Sequence, residues 1–321
     1  MNLQTLTGVK MVSKLIALEV YHNLKDIDFR ILRGVELNMR HHQWVPLEDI
    51  AKFARTDVET ASYRLGKLDN WMLVRRRSDI GYIGYQLTIH GYDVLAIRAF
   101  ARKGVIEAIS QTQIGVGKEA DVYVGITPQG EKVAVKFNRI GRTSFTRIKL
   151  YRRDFIDKHH ISWLYISRLV AEREHEALQL LSPIAKVPKP IAWNRHAIVM
   201  EFIEGVELSE LRDDDLTREE AEDILNKVLD EYLKIVRFGI VHSDMSEFNI
   251  VLTEDDDILI IDWPQYLPTA YPESLEYLRR DISVLLNAFH RRWRVKKDFS
   301  EVWNEFYEAW LESRGEKDNK D

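Results

Sequence analysis

The chain has 321 residues, is 45% hydrophobic and 30% charged, and contains no cysteine. That composition suits one large or two to three modest globular domains and excludes disulfides, thiolate zinc sites and cysteine nucleophiles. No apolar run reaches the roughly 18 residues needed to cross a bilayer, and no signal peptide opens the chain, so a soluble cytoplasmic protein with no membrane partner is expected. The net charge of −5 is uneven: residues 1–103 carry 16 Lys and Arg against 11 Asp and Glu, the remainder 30 against 40. A polyanionic partner is therefore expected at the basic front.

Residues 11–22 and 28–41 read as helices. Pro46 opens the next at a first-turn position, with Leu47, Ile50, Ala51 and Ala54 on one face. Asp57 is the candidate N-cap of a helix that turns Val58, Ala61, Leu65 and Leu68 inward. Two β-like segments follow, 72–77 and 82–87, joined by Ser78-Asp79-Ile80-Gly81. A helix–turn–helix followed by a two-stranded ribbon is the winged-helix pattern, expected over residues 1–91. Tyr63, Arg64 and Lys67 on the outward face of the second helix, with Arg75, Arg76 and Arg77 on the ribbon, would make a basic, partly aromatic surface suited to a nucleic-acid backbone. The same arginines also fit a solvated face on a protein-binding module.

A connecting helix over 88–103 makes 92–104 the link to a strand-rich unit, expected over 105–200 with strands at 105–114, 121–126 and 131–137. At its first reversal stands Gly115-Val116-Gly117-Lys118-Glu119-Ala120-Asp121-Val122. Glycines at 115 and 117 let the backbone approach phosphates and offer them N–H groups, so Gly115, Gly117, Lys118, Glu119, Ala120 and Val122 are candidate nucleotide contacts. One hairpin downstream, Val133-Ala134-Val135-Lys136 ends a strand on an inward lysine, a poor place for a cation without an anionic partner. The helix near 163–182 turns Val170, Ala177, Leu178 and Leu181 to one side with Glu174 among them. A carboxylate on an apolar stripe must be paired, and Lys136 is the obvious cation. Such a Lys–Glu pair orients the lysine toward α- and β-phosphates in protein kinases. Between them, 139–160 carries seven Lys and Arg against two Asp, and Ser144, with Thr143, is a candidate for self-phosphorylation.

Strands near 189–193 and 196–200 lead into Glu201-Phe202-Ile203-Glu204-Gly205, a connector where the main chain of Glu201 and Ile203 would bond adenine with Met200 behind it. Thr217 and Glu220 form a capping box opening a helix whose apolar stripe runs from Ala221 to Val236 and stops at Gly239. It delivers His242-Ser243-Asp244-Met245-Ser246-Glu247-Phe248-Asn249. Two short apolar runs, 250–252 and 258–261, flank an acidic turn and read as a hairpin that returns Asp262 to the neighbourhood of Asp244 and Asn249. Phosphoryl transfer needs an acidic group near the attacking oxygen, which Asp244 fits, and oxygen ligands for Mg²⁺, which Asn249 and Asp262 fit. Taken alone, the same residues also fit turn-formers at strand ends. Helices near 273–293 and 298–312 close the chain before a tail at 313–321 expected to fray. Asp281 interrupts the first of these and is expected to hydrogen-bond the catalytic-loop backbone.

Glycine loop, Val-Ala-Val-Lys, helix Glu, Asp-x₄-Asn and strand-end Asp occur in kinase order. The finer pattern resembles the RIO family of atypical serine protein kinases, in its winged-helix-bearing second subfamily and of archaeal-type length. The resemblance rests on Ile114 to Val122, Gly141-Arg142-Thr143-Ser144-Phe145, Ser162-Trp163-Leu164-Tyr165, His242-Ser243-Asp244, Ile261-Asp262-Trp263-Pro264-Gln265 and Arg280-Asp281. It implies an α+β chain: a winged helix, then a bilobal kinase-like fold with a β-rich lobe to residue 200 and a truncated helical lobe over 201–312. Ala120 stands where ordinary kinases have the third loop glycine, Ser243 where they have Arg, and Asp262-Trp263-Pro264 replaces Asp-Phe-Gly. Too little chain follows Asp262 for the usual peptide-docking helices, which puts phosphorylation of peptides in trans in doubt.

The family further implies ATP with Mg²⁺ (Mn²⁺ as a substitute), serine self-phosphorylation, ATP hydrolysis, and transient acceptance of the phosphoryl group by Asp262. It implies a cytoplasmic factor in small ribosomal subunit maturation that binds the pre-ribosomal particle and its rRNA, with a monomer expected. Two other classes compete: a small-molecule kinase of the aminoglycoside/choline type, and a nucleotide-gated RNA-binding scaffold without turnover. The 40 or so residues between Ile203 and Asp244 leave no room for the helical substrate domain of the former.

Overall fold

The computed structural model describes residues 15–116, 120–140 and 163–315. Gly117, Lys118, Glu119, Thr143 and Ser144 lie outside the described residues, as does the end of the tail. The chain forms two compact units, one of 1–171 with 192–199 and one of 172–191 with 200–321.

In the first unit, α1 (Ile16–Tyr21) and α2 (Asp26–Asn38) precede β1 (Val45–Pro46), α3 (Leu47–Ala54) and α4 (Val58–Asn70). Pro46 ends a short strand rather than beginning the helix: its ψ of 143° is extended, and it pairs with Gly84 while Val45 pairs with Tyr85. Asp57 caps α4 as expected, accepting from the Thr60 N–H at 2.7 Å. Strands β2 (Val74–Arg77) and β3 (Gly84–Leu87) complete a sheet of order β1-β3-β2, so the expected ribbon gains a third strand.

Thr88 caps α5 (Ile89–Arg102), accepting from the Gly91 N–H. Gly91 is required by close approach, since a Cβ there would lie 2.2 Å from the Leu73 carbonyl oxygen. The helix buries Tyr92, Val94, Leu95, Ile97 and Phe100 in the same core as Val133, Val135 and Phe137. Those last three belong to β6 (Lys132–Asn138), which follows β4 (Ala108–Val116) and β5 (Ala120–Ile126). With β7 (Pro190–Asn194) and β8 (Ala197–Glu201) they form a five-stranded sheet of order β4-β5-β6-β8-β7. The described residues of the segments 15–91, 92–104 and 105–140 thus share one core.

A buried ionic cluster fastens the same join. The Arg139 guanidinium, just past β6, donates through Nε to Asp121 of β5 at 2.7 Å and through Nη2 to Asp93 of α5 at 3.1 Å. His196 Nε2 lies 2.7 Å from Asp93 Oδ1, so facing a carboxylate it carries the proton, while its ring stacks on Tyr92 at 4.8 Å. Burial pushes Asp93 upward, but Arg139, His196 and His90 outweigh it and hold the carboxyl far below its usual range. Burial also lowers His196, keeping the ring neutral near pH 7.

In the second unit, α6 (Trp163–Leu181) contributes from residue 172 onward. The capping box at Thr217 and Glu220 opens α7 (Arg218–Phe238), and Gly239 at φ 105° stops it in the left-handed region that glycine tolerates. Its buried stripe runs from Ala221 through Ile224, Leu225, Val228 and Tyr232 to Val236, as the periodicity predicts. Strand β9 (Gly205–Glu207) lies before α7, and after α7 come β10 (Ile240–Val241), β11 (Ile250–Thr253), β12 (Ile258–Ile260) and β13 (Leu267–Pro268). Then α8 (Ser274–Trp293) and α9 (Phe299–Ser313) pack with α7, Tyr232 lying 5.4 Å from Phe306.

Candidate active site

The expected hairpin forms, with Ile250 opposite Ile260 and Leu252 opposite Ile258. Its open end is closed by the Ile261 N–H donating to the Asn249 carbonyl oxygen at 2.9 Å. Asn249 and Asp262 therefore flank one ladder bond. The Asn249 side chain donates from Nδ2 to the Asp244 carbonyl oxygen at 2.8 Å, which leaves Oδ1 as its remaining polar group. The three residues singled out for chemistry are thereby brought together inside one unit.

The loop carrying Asp244 is held from below. Asp281 is fully buried on α8 and accepts from the backbone N–H of Ser243 at 2.7 Å and of Met245 at 3.2 Å, and from the Tyr232 hydroxyl at 2.8 Å. The expected bond from Asp281 to the loop backbone is present, doubled. Tyr232 in turn accepts from the His242 N–H at 3.2 Å. His242 Nε2 faces the Ile261 carbonyl at 3.0 Å, and the Asp244 N–H points at His242 Nδ1 at 3.3 Å. Arg280 donates to the Ser243 carbonyl, and Gln265 Nε2 stands 3.4 Å from Asp244 Oδ2. Burial pushes the Asp281 carboxyl up, partly countered by His242, Tyr232 and Arg280. Ser243 at φ 62° and Asp262 at φ 68° occupy the left-handed region although neither is glycine. Such strain persists only where surrounding bonds over-determine it, and it marks functional segments.

Glu174 lies buried on α6 in this unit; its neighbour Arg173 stacks 4.7 Å from the Tyr266 ring and donates to the Tyr266 carbonyl. Met200 is buried, and the Glu201 N–H is taken by the Lys189 carbonyl at 2.9 Å.

Lys136 belongs to the first unit and is buried on β6. The sheet register sets it opposite Val122, and Val122 opposite Gly115, so glycine strand and lysine align across three strands. Ala120, at the foot of the loop, is opposite Asn138.

On the winged helix the ribbon arginines Arg75, Arg76 and Arg77 are exposed, as are Tyr63 at 62% and, in part, Lys67, whose Nζ sits 4.6 Å over the Tyr63 ring. Arg64 corrects the expectation of an outward residue. It is buried and ion-paired with Asp28 of α2, donating from Nε at 2.6 Å. Ala61, Arg64, Leu65 and Leu68 share the inward face, and Asp28, itself without exposure, requires a cation there. Sequence reasoning also missed Asp93, Arg139 and His196; the available signal was Asp93, a lone acid amid the apolar residues of α5.

Family models match twice: a RIO domain over 121–302 and a Rio2 N-terminal domain over 21–103. The chain belongs to the RIO kinase family. Among its relatives, the RIO-type serine/threonine-protein kinase Rio2 of Methanocaldococcus jannaschii is 45% identical over 265 residues, 82% of this chain and 96% of that one. The Schizosaccharomyces pombe serine/threonine-protein kinase rio2 is 34% identical over 272 residues, 84% of this chain and 78% of that one. In three dimensions the RIO kinase described here is similar to the Rio2 kinase–ADP/Mg²⁺–phosphoaspartate complex from Chaetomium thermophilum, with a TM-score of 0.75 at 26% identity, covering 92% of this chain and 93% of that one. It is an ATP-dependent kinase, with a β-sheet lobe and a helical lobe behind an N-terminal Rio2 domain.

Proposed function

We propose that this RIO kinase is a cytoplasmic assembly factor in small ribosomal subunit maturation, coupling ATP turnover and serine self-phosphorylation to binding and release of the pre-ribosomal particle and its rRNA. The observation that carries the chemistry is the closed hairpin end, where one ladder bond and the Asn249–Asp244 bond gather Asp244, Asn249 and Asp262. Lys136 takes the α- and β-phosphates beneath the glycine strand. Adenine lies against Met200 and bonds the main chain of Glu201 and Ile203. Since the Glu201 N–H is committed to Lys189, its carbonyl is the acceptor there, and the Ile203 N–H is the donor.

Asn249 Oδ1 and the Asp262 carboxylate are hard oxygen donors and fit Mg²⁺, because the Asn249 amide nitrogen is already engaged. When bound, Mg²⁺ neutralises charge on the phosphates. Asp244 accepts the proton of a seryl hydroxyl such as that of Ser144 as its oxygen bonds the γ-phosphorus and the bond to the β-bridging oxygen breaks, releasing ADP. In the hydrolytic branch an Asp262 carboxylate oxygen attacks the γ-phosphorus instead and ADP leaves, and water, giving its proton to Asp244, then cleaves the acyl phosphate. The Chaetomium thermophilum phosphoaspartate complex supports this branch. Exposed Arg75, Arg76 and Arg77, with Lys67 and Tyr63, supply the rRNA contact of the winged helix.

The test uses Asp244→Ala in the full chain with γ-labelled ATP. Hydrolysis should fall by at least about 100-fold, the scale of one general acid–base group, while binding to small-subunit particles is largely kept. Acid-stable phosphoserine as the sole labelled product, with no hydroxylamine-sensitive fraction, would remove the Asp262 step.

A further inference from the structure

The second unit carries charge against its own trend. Residues 172–191 and 200–321 hold 18 Lys and Arg against 34 Asp and Glu, yet 279–297 holds seven Lys and Arg and one acid, the buried Asp281. Along α8, Arg280, Asn287 and Arg291 recur on one face, and Arg294 follows directly past its end; all four are exposed. At 1.5 Å per residue the stripe from Arg280 to Arg294 is about 21 Å long.

A cleft lies at each end. One, of about 400 Å³, is lined by Arg279, Arg280, Ser283 and Phe299 with Glu276. The other, of about 340 Å³, is lined by Arg291, Arg292, Ser209 and Phe248 with Asp213 and Glu247. Each therefore joins two adjacent guanidiniums, a serine hydroxyl and a phenyl ring. Phe248 is 63% exposed, a large apolar side chain presented to solvent. Both acids of the second cleft are engaged, Glu247 with Arg291 at 2.8 Å and Asp213 with Arg292 at 2.9 Å.

Guanidinium forks take phosphate oxygens, and flat rings stack on bases without regard to sequence. Two such clefts joined by a cationic stripe suit a polymer in which anion and base repeat. An acidic peptide would satisfy the arginines and leave the exposed Phe248 ring without a flat partner. We propose that the exposed face of α8, with its two clefts, is a second binding surface for single-stranded nucleic acid, separate from the winged helix.

The experiment isolates this surface by replacing Arg75, Arg76 and Arg77 with Gln in the full chain. Binding of labelled unstructured RNA and DNA oligonucleotides of about 20 nucleotides, a length that exceeds the site sizes of single-strand grooves, is followed by anisotropy across a salt series. In that background, adding Arg279→Gln, Arg291→Gln and Arg294→Gln should reduce the slope of log K against log salt by about 2, at about 0.7 per cation for a single strand. Lys at the same three positions should keep the slope and guards against a folding defect. Phe248→Ala should weaken binding at fixed salt by about fivefold or more. RNA held more tightly than DNA, or the two alike, each fits a single-strand surface. An unchanged slope, or polyglutamate competing as well as RNA, overturns the proposal; the latter makes α8 a protein-docking face. Loss of all binding in the winged-helix variant alone also overturns it while leaving the winged-helix contact standing.

Discussion

At Ser243 and Asp262 the backbone sits at positive φ without a glycine, and the residue that makes this tolerable on the Ser243 side is Asp281. Its two oxygens take three donors, two of them backbone N–H groups of the loop. Each buried donor left without an acceptor costs about 1–3 kcal/mol. Asp281→Ala should therefore lower the unfolding free energy by about 3 kcal/mol or more and depress turnover, whereas Tyr232→Phe, which removes one hydroxyl, should cost about 1 kcal/mol. Urea titration of both variants checks the ranking; equal losses would mean that the loop is held elsewhere. The raised pKa of Asp281 means that the folded state binds its proton more readily than the unfolded chain. This group's contribution consequently falls as pH rises from about 3.8 through the raised value.

At the scale of elements, the join between α5 and the lobe sheet depends on charges that have no access to water. Arg139 bonds Asp121 and Asp93 at once, linking the strand at the foot of the glycine loop to the helix that carries the winged domain. Removing one partner of such a cluster leaves a buried charge uncompensated, so Asp93→Ala should cost about 3–5 kcal/mol. In a double-mutant cycle with Arg139→Ala the two losses should be non-additive by about 0.5–3 kcal/mol. Additive losses would mean that the Asp93–Arg139 contact contributes little. The Arg64–Asp28 pair repeats the device within the winged domain, joining α4 to α2. It withdraws Arg64 from the surface, where Lys67, Tyr63 and the ribbon arginines remain.

For the whole molecule, shared burial makes the winged domain and sheet lobe one compact unit, so acid should act on both together. His196 is neutral in the fold because burial lowers its pKa, while in the unfolded chain it takes up a proton below about 6.5. Its contribution is thus complete above pH 6.5 and declines on acidification. The depressed pKa of Asp93 adds a loss of the same sign as pH falls below about 3.8, while Asp281 acts with the opposite sign above that, between about 3.8 and its raised value. The urea midpoint should drop between pH 7 and pH 5, and His196→Phe, which keeps a ring against Tyr92, should flatten that drop. A parent midpoint that is level across this interval would place the titrating group outside the core.

Much was legible in the sequence because it is local. A cap, a helical stripe, a Gly stop and two apolar runs around an acidic turn each follow from the chemistry of neighbouring residues, and they locate Asp57, α7 and the hairpin that carries Asn249 and Asp262. Motif order alone was enough to identify the RIO family. What local pattern leaves open is which side of an amphipathic helix a long cation takes when a distant acid competes for it. Arg64 was read as a surface residue because Asp28 lies 36 positions away. The ionic join of Asp93, Arg139 and His196 was unreadable for the same reason: a buried charge is tolerated only if its partner arrives in space, and only the tertiary structure brings residues 46 and 103 positions apart onto one carboxylate.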